Sequence, residues 1–123
     1  MAGWGIMVGE REGCAMDAAV ERELELIRDS VLAVVPDTEA IYLFGSYARG
    51  EPNEDSDLDI YVVVPDQVEN PMEKVLDIRL RMAARQRMAL DLLAGKSSMF
   101  HRRAQGPTME RAIARDGRLL YGA

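Results

Sequence analysis

The chain has 123 residues, 48% hydrophobic and 29% charged, which is the composition of one globular domain rather than of a disordered chain. A single cysteine, Cys14, excludes an internal disulfide and a thiolate zinc site, and a single histidine, His101, excludes a two-histidine site. No apolar stretch reaches the roughly 20 residues that span a bilayer, and the basic start of a signal peptide is missing. We therefore expect a cytoplasmic protein without membrane contact.

The net charge of −6 is unevenly distributed along the chain. Residues 1–70 carry 4 Arg and Lys against 16 Asp and Glu, whereas residues 71–123 carry 11 against 5. The acidic half argues against a general nucleic-acid-coating role. It also suggests that some carboxylates are gathered to bind a metal ion.

The N-terminal third predicts a tail, a helix and a strand. Residues 1–15 are rich in glycine and lack an apolar period, which predicts a flexible tail before a single domain over 16–123, with Met16 as a second candidate start. Asp17 is a predicted N-cap, and an apolar stripe predicts the helix that follows it: Val20, Leu24, Ile27, Val31 and Val34. The run 40–44 predicts a buried strand, which Gly45 and Ser46 end.

The rest of the chain also predicts alternating helices and strands. One helical turn at 47–49 and a loop at 51–56 precede a second strand over 57–64. Asn70 is the predicted N-cap of a helix that continues to about residue 87, and a strand follows over 88–93. The remaining predicted elements are a short helix from 97 or 98, a helix ending at Gly117 and a strand at 119–121. These elements predict an α+β fold with a small mixed sheet and helices packed mainly on one face.

Asp57 and Asp59 are the most informative pair. Side chains alternate along a strand, so the two carboxylates lie on one face, about 7 Å apart along it. Two ionised carboxylates on one face repel each other, and a divalent cation between them removes that repulsion. Carboxylate oxygens suit Mg²⁺, which keeps several waters and takes further ligands from phosphates.

The turn at Gly45 and Ser46 complements this pair. A strand that ends in Gly-Ser and enters a helical turn presents backbone N–H groups and a hydroxyl at one place, and glycine lets an anion approach closely. Together the two elements predict a binding site for a nucleoside triphosphate. N–H groups would bind one end of the triphosphate and magnesium the other. Arg49 either clamps the triphosphate or forms a solvated pair with Glu51.

A third carboxylate is expected, because two-metal phosphoryl transfer uses one to share an ion and to help deprotonate the attacking hydroxyl. Asp91 fits this role, as the lone charged residue in the apolar run 88–93. The alternative is that Asp91 caps a loop at the end of the strand or pairs with an arginine. Arg79 falls with Met72 and Leu76 on one apolar arc of its helix, where it would pair with a buried acid or reach a cleft.

The basic residues of the C-terminal region predict a solvent-exposed face, and a surface that binds a partner is the alternative. Its members are His101, Arg102, Arg103, Arg111, Arg115 and Arg118.

The chain resembles the DNA polymerase β-type nucleotidyltransferase superfamily in its central motif. The motif consists of Gly-Ser, ten residues, Asp-x-Asp and a later aspartate in an apolar strand. The size and spacing resemble its smallest branch, the minimal nucleotidyltransferases, many of which are antitoxins of helical HEPN-domain toxins. The resemblance covers residues 17–121. It implies that Gly45 and Ser46 hold the β- and γ-phosphates of ATP, and that Asp57, Asp59 and Asp91 bind two Mg²⁺ ions.

The implied reaction is transfer of AMP from Mg-ATP to an acceptor hydroxyl, with release of pyrophosphate. The resemblance points to a tyrosine of a HEPN-type toxin as the acceptor, and the chain has no room for the helical acceptor domain of larger relatives. Two alternatives stay open: a non-catalytic binding module with a vestigial nucleotide site, and an enzyme that acts on RNA or a small molecule. Nucleic acid is the less expected partner.

Overall fold

The computed structural model describes residues 18–53 and 55–122, so the predicted tail and the N-cap Asp17 lie outside the described residues. The described chain forms helices α1 (Ala18–Val34), α2 (Gly45–Ala48), α3 (Pro71–Met82), α4 (Ser97–Arg103) and α5 (Met109–Asp116). Its strands are β1 (Ala40–Phe44), β2 (Leu58–Val64), β3 (Leu90–Lys96) and β4 (Arg118–Gly122). Among the described helices, none has the length and apolar character to cross a membrane.

The four strands form one mixed sheet in the order β3-β2-β1-β4. β1 is antiparallel to both of its neighbours, and β2 is parallel to β3. The register pairs Phe44 with Asp59 and Asp59 with Asp91. The end of β1 therefore meets the beginnings of β2 and β3 at one end of the sheet, where Asp59 and Asp91 lie. We call this end of the sheet the carboxylate edge.

Alternation along the strands divides the core between two faces. On one face, α1 and α3 cover a cluster that includes Ile41, Ile60 and Leu92. On the other, Phe100 of α4 and Ile113 of α5 pack with a smaller set of strand residues. The predicted α+β class and mixed sheet are confirmed. The two long helices share one face as expected, and the two short helices contribute to the other.

Helix α3 begins as predicted and ends earlier. The Asn70 side chain accepts a hydrogen bond from Met72 N (3.1 Å), and Pro71 occupies the first turn. The prediction that the helix continues to about residue 87 is wrong, because α3 ends at Met82. The carboxylate of Glu23 accepts hydrogen bonds from Arg87 N (2.9 Å) and from the next backbone N–H (3.1 Å), which draws this segment toward α1.

The apolar arc assigned to α3 from the sequence is also wrong. Met72 and Leu76 are exposed, and the buried face consists of Val75, Ile78 and Met82. Both faces carry apolar residues at helical spacing, so the spacing alone does not show which of them the core buries.

Two strands differ at their ends from the prediction. Asp57 precedes β2 by one residue, because the ladders with both neighbours begin at or after Leu58. β3 covers 90–96 rather than 88–93, because its parallel pairing continues to Val64↔Lys96. Gly95 does not end this strand. A Cβ at Gly95 would overlap the hydroxyl of Tyr61, so the glycine makes room for that ring.

Several basic residues of the C-terminal region bind carboxylates. Arg118 pairs with Glu21 of α1 (2.9 Å), and Arg103 pairs with Glu110 (3.1 Å). His101 Nε2 lies 2.6 Å from an oxygen of Glu39, at the end of the sheet away from the carboxylate edge. All six basic residues are exposed, as the solvated-face interpretation predicts, and these three also form ion pairs or hydrogen bonds at the surface.

Glu23→Ala is expected to destabilise the protein by about 2–4 kcal/mol, because it leaves two backbone N–H groups without a partner. Urea denaturation measures the change in the free energy of unfolding. Glu25→Ala is the matched control, since Glu25 is an exposed glutamate on the same helix. Equal effects of the two substitutions would contradict this role for Glu23.

Candidate active site

Gly45 and Asp59 are in direct contact at the carboxylate edge. Gly45 begins α2 with φ +75°, a left-handed conformation that glycine adopts readily. A Cβ at this position would overlap Oδ2 of Asp59, so a larger residue would displace the carboxylate. The predicted Gly-Ser turn is thus also the start of a helix, two residues earlier than the sequence suggested, and its glycine lets backbone and carboxylate approach each other.

The electrostatics of Asp59 link it to both other predicted carboxylates. Partial burial raises the pKa of Asp59, and the charges of Asp91 and Asp57 raise it further, while Arg49 lowers it. Asp59 and Asp91 are register partners on adjacent parallel strands, so their side chains lie on the same face. The structure therefore brings the predicted carboxylates into one electrostatically coupled group.

The loop before β2 is bound to the Gly-Ser turn by a chain of hydrogen bonds. The Ser46 hydroxyl donates to Ser56 Oγ (3.1 Å), which in turn accepts from Asn53 N (2.9 Å). A backbone bond from Glu51 N to Ser46 O (2.9 Å) closes the same turn. Ser56 was not singled out from the sequence, although its place beside Asp57 in a polar loop was the available signal.

Arg49 is exposed at the end of α2, with Nε 3.5 Å from an oxygen of the equally exposed Glu51. An exposed pair at this distance contributes little stability. The observed pair matches the alternative of a solvated pair with Glu51, and the charge of the same guanidinium lowers the pKa of Asp59.

Within residues 18–53 and 55–122, no three His, Cys, Asp or Glu side chains form a group that could hold a metal ion. The donor set at the carboxylate edge is nevertheless all oxygen, the chemistry that Mg²⁺ prefers. Magnesium also binds through one or two carboxylates when phosphates supply further ligands. The residues present therefore fit a magnesium ion shared with a nucleotide.

A cavity of about 330 Å³ opens beside Gly45 and Arg49, between α2 and α5. Met109 and Ile113 give it apolar walls. A larger cavity of about 500 Å³ lies between α1 and the loop before β3, and none of the predicted site residues line it. The smaller cavity is the one that adjoins the carboxylate edge and offers space for part of a substrate.

Glu23 and Arg79 support the segment that leads to Asp91. Glu23 binds the backbone at residues 87 and 88, and Arg79 Nη2 donates to Leu90 O (3.1 Å). Neither of the two expectations for Arg79, a buried acid or a cleft, is met, since its partner is a backbone carbonyl. Glu23 interrupts the apolar side of α1 between Val20 and Ile27, which was the signal that could have revealed it.

The fold and the carboxylate edge define a nucleotidyltransferase. The family model described as polymerase beta, nucleotidyltransferase matches residues 29–123, and the chain belongs to this family.

Named relatives agree with that class. A candidate protein adenylyltransferase of Methanocaldococcus jannaschii is 28% identical over 81 residues, which cover 66% of this chain and 76% of that protein. The protein adenylyltransferase MntA of Shewanella oneidensis is 40% identical over 47 residues, 38% of this chain and 31% of that protein.

Among solved structures, a chain from a toxin–antitoxin complex crystallised with AMP-PNP has the same fold. Its TM-score is 0.50 at 24% identity, and the similarity covers 81% of this chain and 73% of that chain.

Asp59→Asn is expected to increase the stability of the protein without metal at pH 7. The pKa of Asp59 is raised in the folded state, so ionisation of Asp59 opposes folding. This destabilisation is complete above the folded-state pKa and absent below the ordinary pKa of aspartate. The gain should therefore fade as the pH falls toward about 4 and be absent below it. Urea titrations across this range measure it, with the exposed Asp37→Asn as control. A loss of stability at pH 7 would contradict the repulsion described here.

Proposed function

We propose that this nucleotidyltransferase moves AMP from Mg-ATP to a tyrosine hydroxyl of a HEPN-type helical toxin and so acts as its antitoxin. The observation that carries the proposal is the contact of Gly45 with Asp59, beside Asp91 on the adjacent strand. A phosphate-binding turn and a carboxylate group at one edge are the two parts that metal-assisted phosphoryl transfer requires.

In this mechanism the backbone N–H groups of α2 and the hydroxyl of Ser46 bind the β- and γ-phosphates. Asp57 and Asp59 would hold magnesium, two ions being expected, with Asp91 sharing one. The metal supplies positive charge that offsets the phosphate charge and the repulsion among the carboxylates. Arg49 adds a cation at the outer side of the turn.

The chemical step breaks the phosphoanhydride bond between the α- and β-phosphates of ATP and forms a new phosphate ester. The acceptor oxygen bonds to the α-phosphorus of ATP, and the bond from that phosphorus to the pyrophosphate oxygen breaks. Asp91 takes the proton of the attacking hydroxyl, and pyrophosphate leaves on the side of Gly45 and Ser46. These residues lie in the order that the step needs, because β2 separates β1 from β3.

A protein acceptor is supported by the names of the relatives from Methanocaldococcus and Shewanella, both of them protein adenylyltransferases. A toxin as that protein is supported by the resemblance of the motif to minimal nucleotidyltransferases. The solved chain with the same fold comes from a toxin–antitoxin complex. A tyrosine, which has a hydroxyl that the carboxylate can deprotonate, completes the proposal.

The purified protein, incubated with Mg²⁺, ATP labelled at the α-phosphate and lysate of its native host, should label one discrete protein band. Asp57→Asn and Asp59→Asn should reduce the labelling rate at least 100-fold, because each removes a carboxylate that binds the metal. Mass spectrometry of the band should locate AMP on tyrosine. Asp37→Asn should label as the wild type does, and EDTA should abolish labelling.

Other outcomes would redirect or overturn the proposal. Label on RNA or on a small molecule would retain the enzyme and change the acceptor. Toxin neutralisation by the aspartate variants, with no label from any form, would identify a binding module with a vestigial nucleotide site. Full activity of an Asp57→Asn/Asp59→Asn double variant would contradict the mechanism.

A further inference from the structure

A pair of serine hydroxyls joins the two halves of the candidate active site. Ser46 follows Gly45 in the turn that begins α2, and Ser56 lies directly before Asp57 in the loop that leads to β2. The two side-chain oxygens are 3.1 Å apart, although ten positions separate the residues in the chain. Both residues are partly buried. The pair is therefore a contact between the turn and the segment that carries the carboxylates.

The loop itself holds Ser56 in place. Ser56 Oγ accepts a hydrogen bond from Asn53 N (2.9 Å), and Ser56 N donates to Asn53 O (3.0 Å). The Asn53 side chain also accepts a hydrogen bond from Asp55 N (2.8 Å), which tightens the same turn. These bonds fix the Ser56 oxygen without any contribution from Ser46. The loop thus presents a hydrogen-bond partner to the Ser46 hydroxyl.

The hydroxyl of Ser56 has capacity left after its bond to Asn53 N. A serine hydroxyl offers one donor and two acceptor lone pairs, and Asn53 N occupies a single lone pair. Ser56 can therefore accept the proton of Ser46, or donate its own proton to Ser46 Oγ. Ser56→Ala removes both capacities, whereas Ser56→Thr retains them.

An anion at Ser46 decides between these two directions. An ionised phosphate oxygen accepts hydrogen bonds and donates none, so the Ser46 proton turns toward it and leaves the Ser46 lone pairs to Ser56. The bonds then run in one direction, from Asn53 N through Ser56 and Ser46 to the phosphate. Hydrogen bonds in series polarise one another, which makes the last hydroxyl of the chain a better donor.

We propose that Ser56 is a positioning residue that directs the Ser46 hydroxyl toward the β- and γ-phosphates of the bound triphosphate. Ser56 accepts from Ser46 in the free protein and donates to Ser46 in the complex. This inference rests on the proposed function for the identity of the anion, and it adds the residue that orients a ligand of that anion. Because Asp57 is the next residue, one short segment supports both the phosphate contact and a carboxylate proposed to bind magnesium.

The test measures nucleotide binding rather than AMP transfer. The full chain, in Mg²⁺, is titrated by calorimetry with an ATP analogue that has a methylene group between its α- and β-phosphorus atoms, which AMP transfer cannot cleave. Ser56→Ala should raise the Kd of this analogue roughly 10-fold, the size expected for a hydrogen bond to a charged group. Ser56→Thr should bind within about threefold of the wild type, because it keeps the hydroxyl.

Two controls accompany this titration. Asn53→Ala removes the side-chain bond to Asp55 N and keeps both serine hydroxyls and the backbone N–H of residue 53, so the Kd should change less than about threefold. AMP has neither a β- nor a γ-phosphate, so Ser56→Ala should leave the Kd of AMP unchanged.

A double-mutant cycle with Ser46→Ala separates positioning from a general effect on the loop. If Ser56 acts through Ser46, Ser56→Ala should cause no further rise in the Kd of the analogue once Ser46→Ala has removed the other hydroxyl. An effect on the loop alone would give the same rise in both backgrounds, and this result would overturn the positioning role.

The remaining outcomes separate this inference from the proposed function. An unchanged Kd in Ser56→Ala, or an equal rise in Asn53→Ala, would overturn the positioning role while AMP transfer stands. A wild-type protein that binds the analogue but labels no protein would overturn the proposed acceptor and leave the positioning role intact. If the wild-type protein binds no analogue, the proposed function fails and the positioning role falls with it.

Discussion

The contact between a glycine backbone and a carboxylate is the constraint on which the active site depends. Gly45 ends β1, turns the chain with a positive φ and begins α2, all within contact distance of the Asp59 side chain. Partial burial and two neighbouring carboxylates already disfavour the charged form of Asp59. Such a group of carboxylates is unfavourable in the absence of a cation, and in the proposed function magnesium would supply the compensating charge.

The sheet order determines how the parts of the site act together. β1 leads into the turn that we propose binds phosphate, β2 carries Asp59, and β3 carries Asp91 on an outer strand. In the proposed reaction the leaving group and the acceptor would therefore lie on opposite sides of Asp59. Glu23 and Arg79 fix the segment before Asp91 to α1 and to α3, so the third carboxylate has a supported backbone.

Local patterns predicted the features that depend on neighbouring residues. The strand over 40–44, the N-cap at Asn70 and the Asp57–Asp59 pair follow from alternation, capping and spacing, and the structure has each of them within one residue. The backbone partners of Glu23 were not predictable, since they lie more than 60 positions away along the chain. The face of α3 that enters the core depends likewise on the sheet beneath it.

The most direct test of the account compares two glycines with the same backbone conformation. Gly45 and Gly50 have φ of 75° and 74°, so alanine brings a similar strain, about 1–2 kcal/mol, at either position. A Cβ at Gly50 meets nothing within 4 Å, whereas one at Gly45 overlaps Asp59. The measurement is the rate of AMP transfer from labelled ATP by folded Gly45→Ala and Gly50→Ala. The account predicts a loss of at least 100-fold for Gly45→Ala and near wild-type transfer for Gly50→Ala. Equal rates would contradict it.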